Sequence, residues 1–169
     1  MGAQPHAGAS PRHRLIASLE LTGDVTVEAF DRVVRVAANG TRSPIALVTF
    51  VDDERQWIPA RIGWAESFTA LVDAFCARAI TGTALMEVRQ AHLDERFKAT
   101  RLVTGPSAIR FYAGQPIVFE GVPLGTVCVL DQKPRSLTEP DRQVLGDLAA
   151  ITSELLAARQ QAIRARRPD

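Results

Sequence analysis

The sequence predicts an α+β fold: one central antiparallel sheet with long helices at both ends of the chain. Three observations carry this. Residues 45–62 and 109–130 each read as strand, tight turn and returning strand. Helical spacing of apolar residues frames them, around Phe30 and again after Thr138. The stretch between the two hairpins holds a helix, a short strand and a mixed loop.

The elements follow in order. Residues 1–20 mix Gly, Pro, Ser, His and Arg without a period and predict a flexible basic tail, with order starting near Leu21. Asp24 or Thr26 is a suitable cap for a first helix, because a short side-chain oxygen satisfies a free N–H of the first turn. Phe30, Val33, Val34 and Ala37 share one face of that helix, and Asn39-Gly40 stops it. Ile45–Val51 is a β-branched and aromatic strand, Asp52-Asp53-Glu54 a polar turn, and Arg55–Ile62 the returning strand, ended by Gly63. Phe68–Ile80 reads as a helix with Phe68, Leu71, Val72, Phe75 and Ala79 on one side and Gly82 as its stop. Ala84–Val88 predicts a short strand, and residues 90–104 a loop with helical turns.

Ile109–Phe119 predicts a strand, Glu120-Gly121 a turn, and Val122–Leu130 the strand that returns. Pro123 implies a ragged start or an edge position, since proline donates no ladder bond. Thr138 caps the last helix, with Pro140 in its first turn and Asp141 completing a capping box. Val144, Leu148, Ile151, Leu155, Ala158 and Ala162 step by four and three, which is either a coiled-coil seam or the face of a helix packed on its own sheet.

Composition bounds the function. The chain has 169 residues, 46% hydrophobic and 23% charged, which fits one globular domain and excludes disordered, collagen-like and disulfide-scaffold classes. The net charge of +1 conceals unlike parts: residues 1–14 carry +2, residues 159–169 carry +3 and the middle carries −4. Apolar runs stay too short for a membrane span, and Met1–Arg14 lacks the apolar segment of a secretory signal, so a cytoplasmic location is expected. Cys76 and Cys128 are then expected as free thiols. Phosphate-binding loops, dinucleotide fingerprints, nucleophile elbows and metal-spaced Cys or His pairs are all absent from the sequence.

Six segments in order resemble the GAF domain family, a small-molecule sensory module. They are Phe30-Asp31-Arg32, Ala46 to Trp57, Phe75 to Ile80, Asp94 to Phe97 followed by Leu102 to Pro106, Ile109 to Pro116, and Leu124 to Asp131. The resemblance spans about residues 21–160, leaving 161–169 as a basic C-terminal end. It implies a sheet of five to six strands, terminal helices on one face, and a ligand-type pocket on the other beneath a middle helix and loops. It also implies a homodimer through the terminal helices and a signalling partner protein. Arg78, Gln90 and Thr100-Arg101 depart from the family pattern in the pocket-covering half, so the small-molecule ligand and any cofactor stay unnamed.

Six residues are candidates for that pocket. Trp57 lines it or belongs to the core. Cys76 faces a ligand, senses oxidant, or is a buried thiol. Arg110 shares a strand face with Tyr112 and either grips an anion through its forked donors or pairs with a surface acid. Cys128 shares a face with Thr126, while Val127 and Val129 share the other, and one of these sets backs the terminal helices. Asp131 ends its strand and either meets a ligand or caps a turn. The arginines at 159, 164, 166 and 167 are read as a solvated helix end or a partner contact; nucleic acid and membrane are disfavoured. The function expected is a sensory module that relays to a partner. The alternatives are an enzyme reducing free methionine sulfoxide and a ligand-free dimerisation scaffold.

Overall fold

The computed structural model describes residues 8–23 and 25–166. Six antiparallel strands run in the order β3-β2-β1-β6-β5-β4. They are β1 (Ile45–Val51), β2 (Arg55–Ile62), β3 (Phe68–Ala70), β4 (Met86–Val88), β5 (Phe111–Phe119) and β6 (Val122–Asp131). Helices α1 (Pro11–Ser18), α2 (Glu28–Thr41) and α5 (Glu139–Ala165) cover one face. Short helices α3 (Phe75–Ala79) and α4 (Arg101–Thr104), with their loops, cover the other.

Strand alternation sorts the two cores. On the helical side Ala46, Val48, Phe50, Phe111, Ala113, Val127 and Val129 meet Phe30, Val34, Ala37, Leu145 and Leu156. On the other side Leu47, Tyr112, Cys128 and Leu130 meet Phe75, Cys76, Phe97 and Val103. Val127 and Val129 are therefore the set that backs the terminal helices. Gly125 permits the tight pairing of β6 with β1, because a Cβ there would strike the Thr49 carbonyl.

The predicted α+β class and sheet are found. So is the capping box, in which Asp141 N–H donates to Thr138 Oγ1 at 3.2 Å and Thr138 N–H donates back to Asp141 Oδ2 at 2.9 Å. Several boundaries differ for physical reasons. Part of the expected tail is ordered: Ser10 caps α1, Ile16 and Leu19 are fully buried, and Ser10 is tied to Asp53 through its N–H at 2.9 Å and its hydroxyl at 2.5 Å. Residues 1–7 of that tail lie outside the described residues, as does Asp24. The N-cap of α2 is Val27, not Thr26, and has no side-chain cap bond.

Asn39-Gly40 does not end α2, which runs to Thr41 before Arg42 turns left-handed. Gly40 instead lets α5 approach, since a Cβ there would lie 3.1 Å from Val144 Cγ1. Phe68–Ile80 is not one helix. Its first residues pair as β3 with β2, and only Phe75–Ala79 is α-helical, so an open sheet edge overrode the helical spacing. The ragged start expected at Pro123 is found: it is the second residue of β6, ahead of the first rung with β1 at Gly125 and beside the register shift at Ile117/Val118, where a missing N–H is tolerated.

The face of α5 is also redrawn. Leu145, Leu148, Ala149, Thr152 and Leu156 are the buried row. Of the expected seam only Leu148 is buried, while Val144 and Leu155 are partly covered and Ile151, Ala158 and Ala162 are exposed. The basic end is partly occupied within the chain. Arg159 donates to Leu19 O at 2.6 Å and Glu20 O at 3.0 Å, capping α1, and Arg166 pairs with Glu20 at 3.3 Å. Arg167 lies outside the described residues.

Candidate functional site

The candidate site lies between the sheet and the cover formed by the loop after β2, residues 71–79 and the α4 region. Leu47, Gln56, Thr69, Tyr112, Cys128 and Leu130 rise from the sheet, with Thr69 of β3 opposite Gln56 of β2. Trp64, Phe75, Cys76 and Leu102 close over them. The space enclosed is about 10 Å³, the size at which a single water fits.

Cys76 is the hub. Tyr112 donates its hydroxyl to Cys76 Sγ at 3.2 Å and Thr126 donates its hydroxyl at 3.1 Å. Cys128 Sγ lies 3.8 Å from Cys76 Sγ, and both thiols are buried and free. Thr126 is held in turn by Thr49: their hydroxyls lie 3.1 Å apart, and Thr126 N–H donates to Thr49 Oγ1 at 3.2 Å. Burial alone would push the Cys76 thiol up. The hydrogen bonds from Cys128, Thr126, Thr49 and Tyr112 outweigh it and bring the group down to about 7. Burial and the neighbouring Cys76 push Cys128 and Tyr112 well above their ordinary values. The first proton to leave this cluster therefore leaves Cys76.

Two further features shape the cluster. Phe75 stacks between Phe97, at 4.2 Å between ring centroids, and Tyr112, at 5.0 Å. This aromatic stack fixes the Tyr112 ring. Gly114 makes room for its hydroxyl, because a Cβ at that position would collide with the Tyr112 oxygen. Asp73 Oδ1 accepts from Arg101 N–H at 2.9 Å and joins the two parts of the cover, while Arg110, just before β5, donates to Val103 O at 3.0 Å and ties α4 to the sheet.

Polar atoms on the same space lack partners. Gln56 Oε1, Trp64 Nε1 and Thr69 Oγ1 are buried with no hydrogen bond among the described residues. Gln56 is 3% exposed and Thr69 9%. An acceptor, a donor and a hydroxyl thus share the cavity with an ionisable thiol, a grouping suited to a small molecule with both donors and acceptors.

Of the six residues singled out from sequence, the structure brings Cys76, Tyr112 and Cys128 together. The other three lie apart. Trp57 pairs with Phe50 and so takes the helical side of the sheet, where its Nε1–H donates to Asp52 Oδ2 at 2.7 Å. Asp131 is also on that side, 3.4 Å from Arg135, and accepts from Lys133 N–H at 3.1 Å. Arg110 spends its guanidinium on the backbone of Val103 and Ile109. Arg78, one of the departures noted above, lines an outer groove with Arg96 and Phe97. Sequence reading missed Gln56, Trp64 and Thr69. Gln56 and Thr69 carried the only available hint, a polar residue inside an apolar strand or an amphipathic stretch.

The GAF domain model matches residues 26–155. A cyclic di-GMP phosphodiesterase of Pseudomonas aeruginosa, PA2567, is 39% identical over 142 residues, 83% of this chain and 24% of that protein. The chain thus spans about a quarter of that relative's length. Among solved structures, the free methionine-R-sulfoxide reductase of Neisseria meningitidis superposes with a TM-score of 0.67 at 16% identity, over 96% of this chain and 99% of that one. The GAF domain of an Acinetobacter phosphoenolpyruvate-protein phosphotransferase also gives 0.67, at 15% identity, over 89% of this chain and 93% of that one. At such identities these two matches show a shared fold alone. Among the described residues, no helix is long and apolar enough to cross a membrane.

Proposed function

The chain belongs to the GAF domain family, and we propose that it is a sensory module that takes a small polar molecule beneath its cover and relays the occupied state through its terminal helices. One observation carries this reading: three unpartnered buried polar groups, on Gln56, Trp64 and Thr69, share one cavity with Cys76. In the closed form the space takes only a water-sized guest. A larger ligand enters when the cover withdraws, and the cover is made of short elements that open at low cost. That movement reaches the far face through β6, whose Cys128 lines the cavity and whose Thr126 bonds Cys76, while Val127 and Val129 support the helices. The relay then passes to a partner protein or domain, for which the phosphodiesterase relative is the model. We place the homodimer contact on the exposed stripe of α5.

The test is denaturing extraction of the purified protein, with mass spectrometry of what is released. A small polar molecule, released by the native protein and lost from a Gln56→Leu, Thr69→Val variant, is expected. Release of nothing, together with no thermal stabilisation by a panel of nucleotides, amino acids and organic acids, sinks the reading.

A second reading has one observation in its favour. A thiol lowered to about 7 facing another at 3.8 Å suits reduction of free methionine sulfoxide. Thioredoxin-coupled turnover with that substrate, abolished in Cys76→Ser, is its test. The closed cavity of about 10 Å³ excludes such a substrate until the cover moves.

A further inference from the structure

We propose that Cys76 and Cys128 form an oxidation site, at which hydrogen peroxide converts the two thiols to a disulfide that staples the cover to the sheet. The chemistry rests on the cavity. Only its consequence for a partner rests on the sensory reading above.

Four observations support it. The sulfurs lie 3.8 Å apart on different elements, Cys76 on α3 of the cover and Cys128 on β6. A bond needs about 2.05 Å, so the cover closes by less than about 2 Å to form it. Tyr112 and Thr126 donate hydroxyls to Cys76 at 3.2 and 3.1 Å, and the Cys128 thiol faces the same sulfur. This makes Cys76 the attacking thiolate and Cys128 the resolving thiol. The closed cavity holds one water, so any oxidant enters as the cover shifts, and hydrogen peroxide, with two heavy atoms, needs a smaller opening than a bulky hydroperoxide. The unpartnered Trp64 N–H and Thr69 hydroxyl supply donors for a peroxide oxygen, and Gln56 Oε1 accepts a peroxide O–H.

The steps balance. The Cys76 thiolate attacks one peroxide oxygen, so an S–O bond forms and the O–O bond breaks. Cys76 becomes a sulfenic acid, oxidised by two electrons, and the second oxygen leaves as hydroxide, which takes up the proton that Cys76 released on ionising and becomes the first water. Cys128 sulfur then attacks Cys76 sulfur, so the S–S bond forms and the S–O bond breaks. The departing hydroxide takes the Cys128 proton. In sum, two thiols and one hydrogen peroxide give one disulfide and two waters.

The experiment uses the full chain, reduced and then exposed to hydrogen peroxide, with thiols counted after denaturation and peptides mapped by mass spectrometry. A Cys76–Cys128 linked peptide with loss of both thiols is expected, forming faster than with cumene hydroperoxide at equal concentration. A Cys128→Ser variant should instead accumulate a dimedone adduct at Cys76, and Cys76→Ser should leave Cys128 reduced. Native protein that keeps both thiols reduced overturns the proposal without reference to either variant. So does a linked peptide that forms equally fast with the bulky oxidant. Failure here leaves the extraction test above untouched. A chain that forms the disulfide but releases no ligand keeps the oxidation site and loses the ligand-binding reading.

Discussion

Tyr112, on the central sheet, donates its hydroxyl to Cys76, on the cover, across 3.2 Å of buried space. The bond joins two elements 36 residues apart and points a neutral donor at a thiol already low enough to ionise near pH 7. Removing it should act on both stability and acidity. Tyr112→Phe should lose about 1–3 kcal/mol, because one donor goes and a buried acceptor is left short. The Cys76 thiol should rise from about 7, read by the pH profile of its oxidation. Gly114→Ala should move the Tyr112 hydroxyl by collision, raise the same thiol, and destabilise by about 1–3 kcal/mol through overpacking.

Acidity also sets a pH dependence of stability. Cys76 falls from 9.0 to about 7 on folding, so its contribution is fully present above pH 9 and is lost as pH falls through about 7. The ionisable groups bonded to it, Cys128 and Tyr112, are both raised, so their losses begin only above their ordinary values. Urea midpoints of the reduced protein, relative to Cys76→Ser, should therefore climb between pH 7 and 9. A flat difference would contradict the assigned order of ionisation.

Arg135 is expected to matter more than its partner Asp131. It donates to Thr41 O at 2.6 Å, Arg42 O at 3.1 Å and Ser43 Oγ at 3.2 Å, and sits 5.3 Å above the Phe111 ring. It thereby caps the end of α2. Arg135→Ala should cost about 1–2 kcal/mol in denaturant unfolding. Asp131→Asn should cost less and leave the Cys76 oxidation rate unchanged, since the residue lies across the sheet from the cavity.

The exposed stripe of α5 is distinct from its core face, so the proposed dimer contact can be tested apart from stability. Ile151 is 45% exposed, whereas Leu148 and Leu156 are buried. Ile151→Arg should leave monomer stability within about 0.5 kcal/mol. The same change should convert the proposed dimer to monomer in analytical ultracentrifugation. A native protein that is monomeric at every concentration tested rules out the dimer.

Much of the fold is legible in the chain, and some of the site. The β-branched and aromatic run at 45–51 and the strand pattern at 109–119 announce buried strands, and Thr138 with Asp141 announces a helix start, because these depend on local chemistry. Phe68–Ala70 defeated the same reasoning. Its apolar spacing suits a helix, yet the open edge of β2 offered it a ladder and Trp57 offered Phe68 an aromatic neighbour at 6.3 Å. Trp57 misled for a related reason. The irregular register of β1 and β2 between Val48 and Phe50 turns Trp57 to the helical face.

By itself the sequence determined the α+β class, the hairpins, the capped last helix and the family, since each is written in short-range periodicity or in segments that stand in order. It also named Cys76, Tyr112 and Cys128. Tertiary structure alone decided that these three meet. Cys76 and Cys128 are 52 residues apart and come within 3.8 Å only because the cover folds back over the sheet. It decided as well that Gln56, Trp64 and Thr69 share their cavity and that Trp57, Arg110 and Asp131 do not. The physical reason is that a side chain's face follows from strand register and from the path of the cover, and both are set by long-range pairing that no local pattern records.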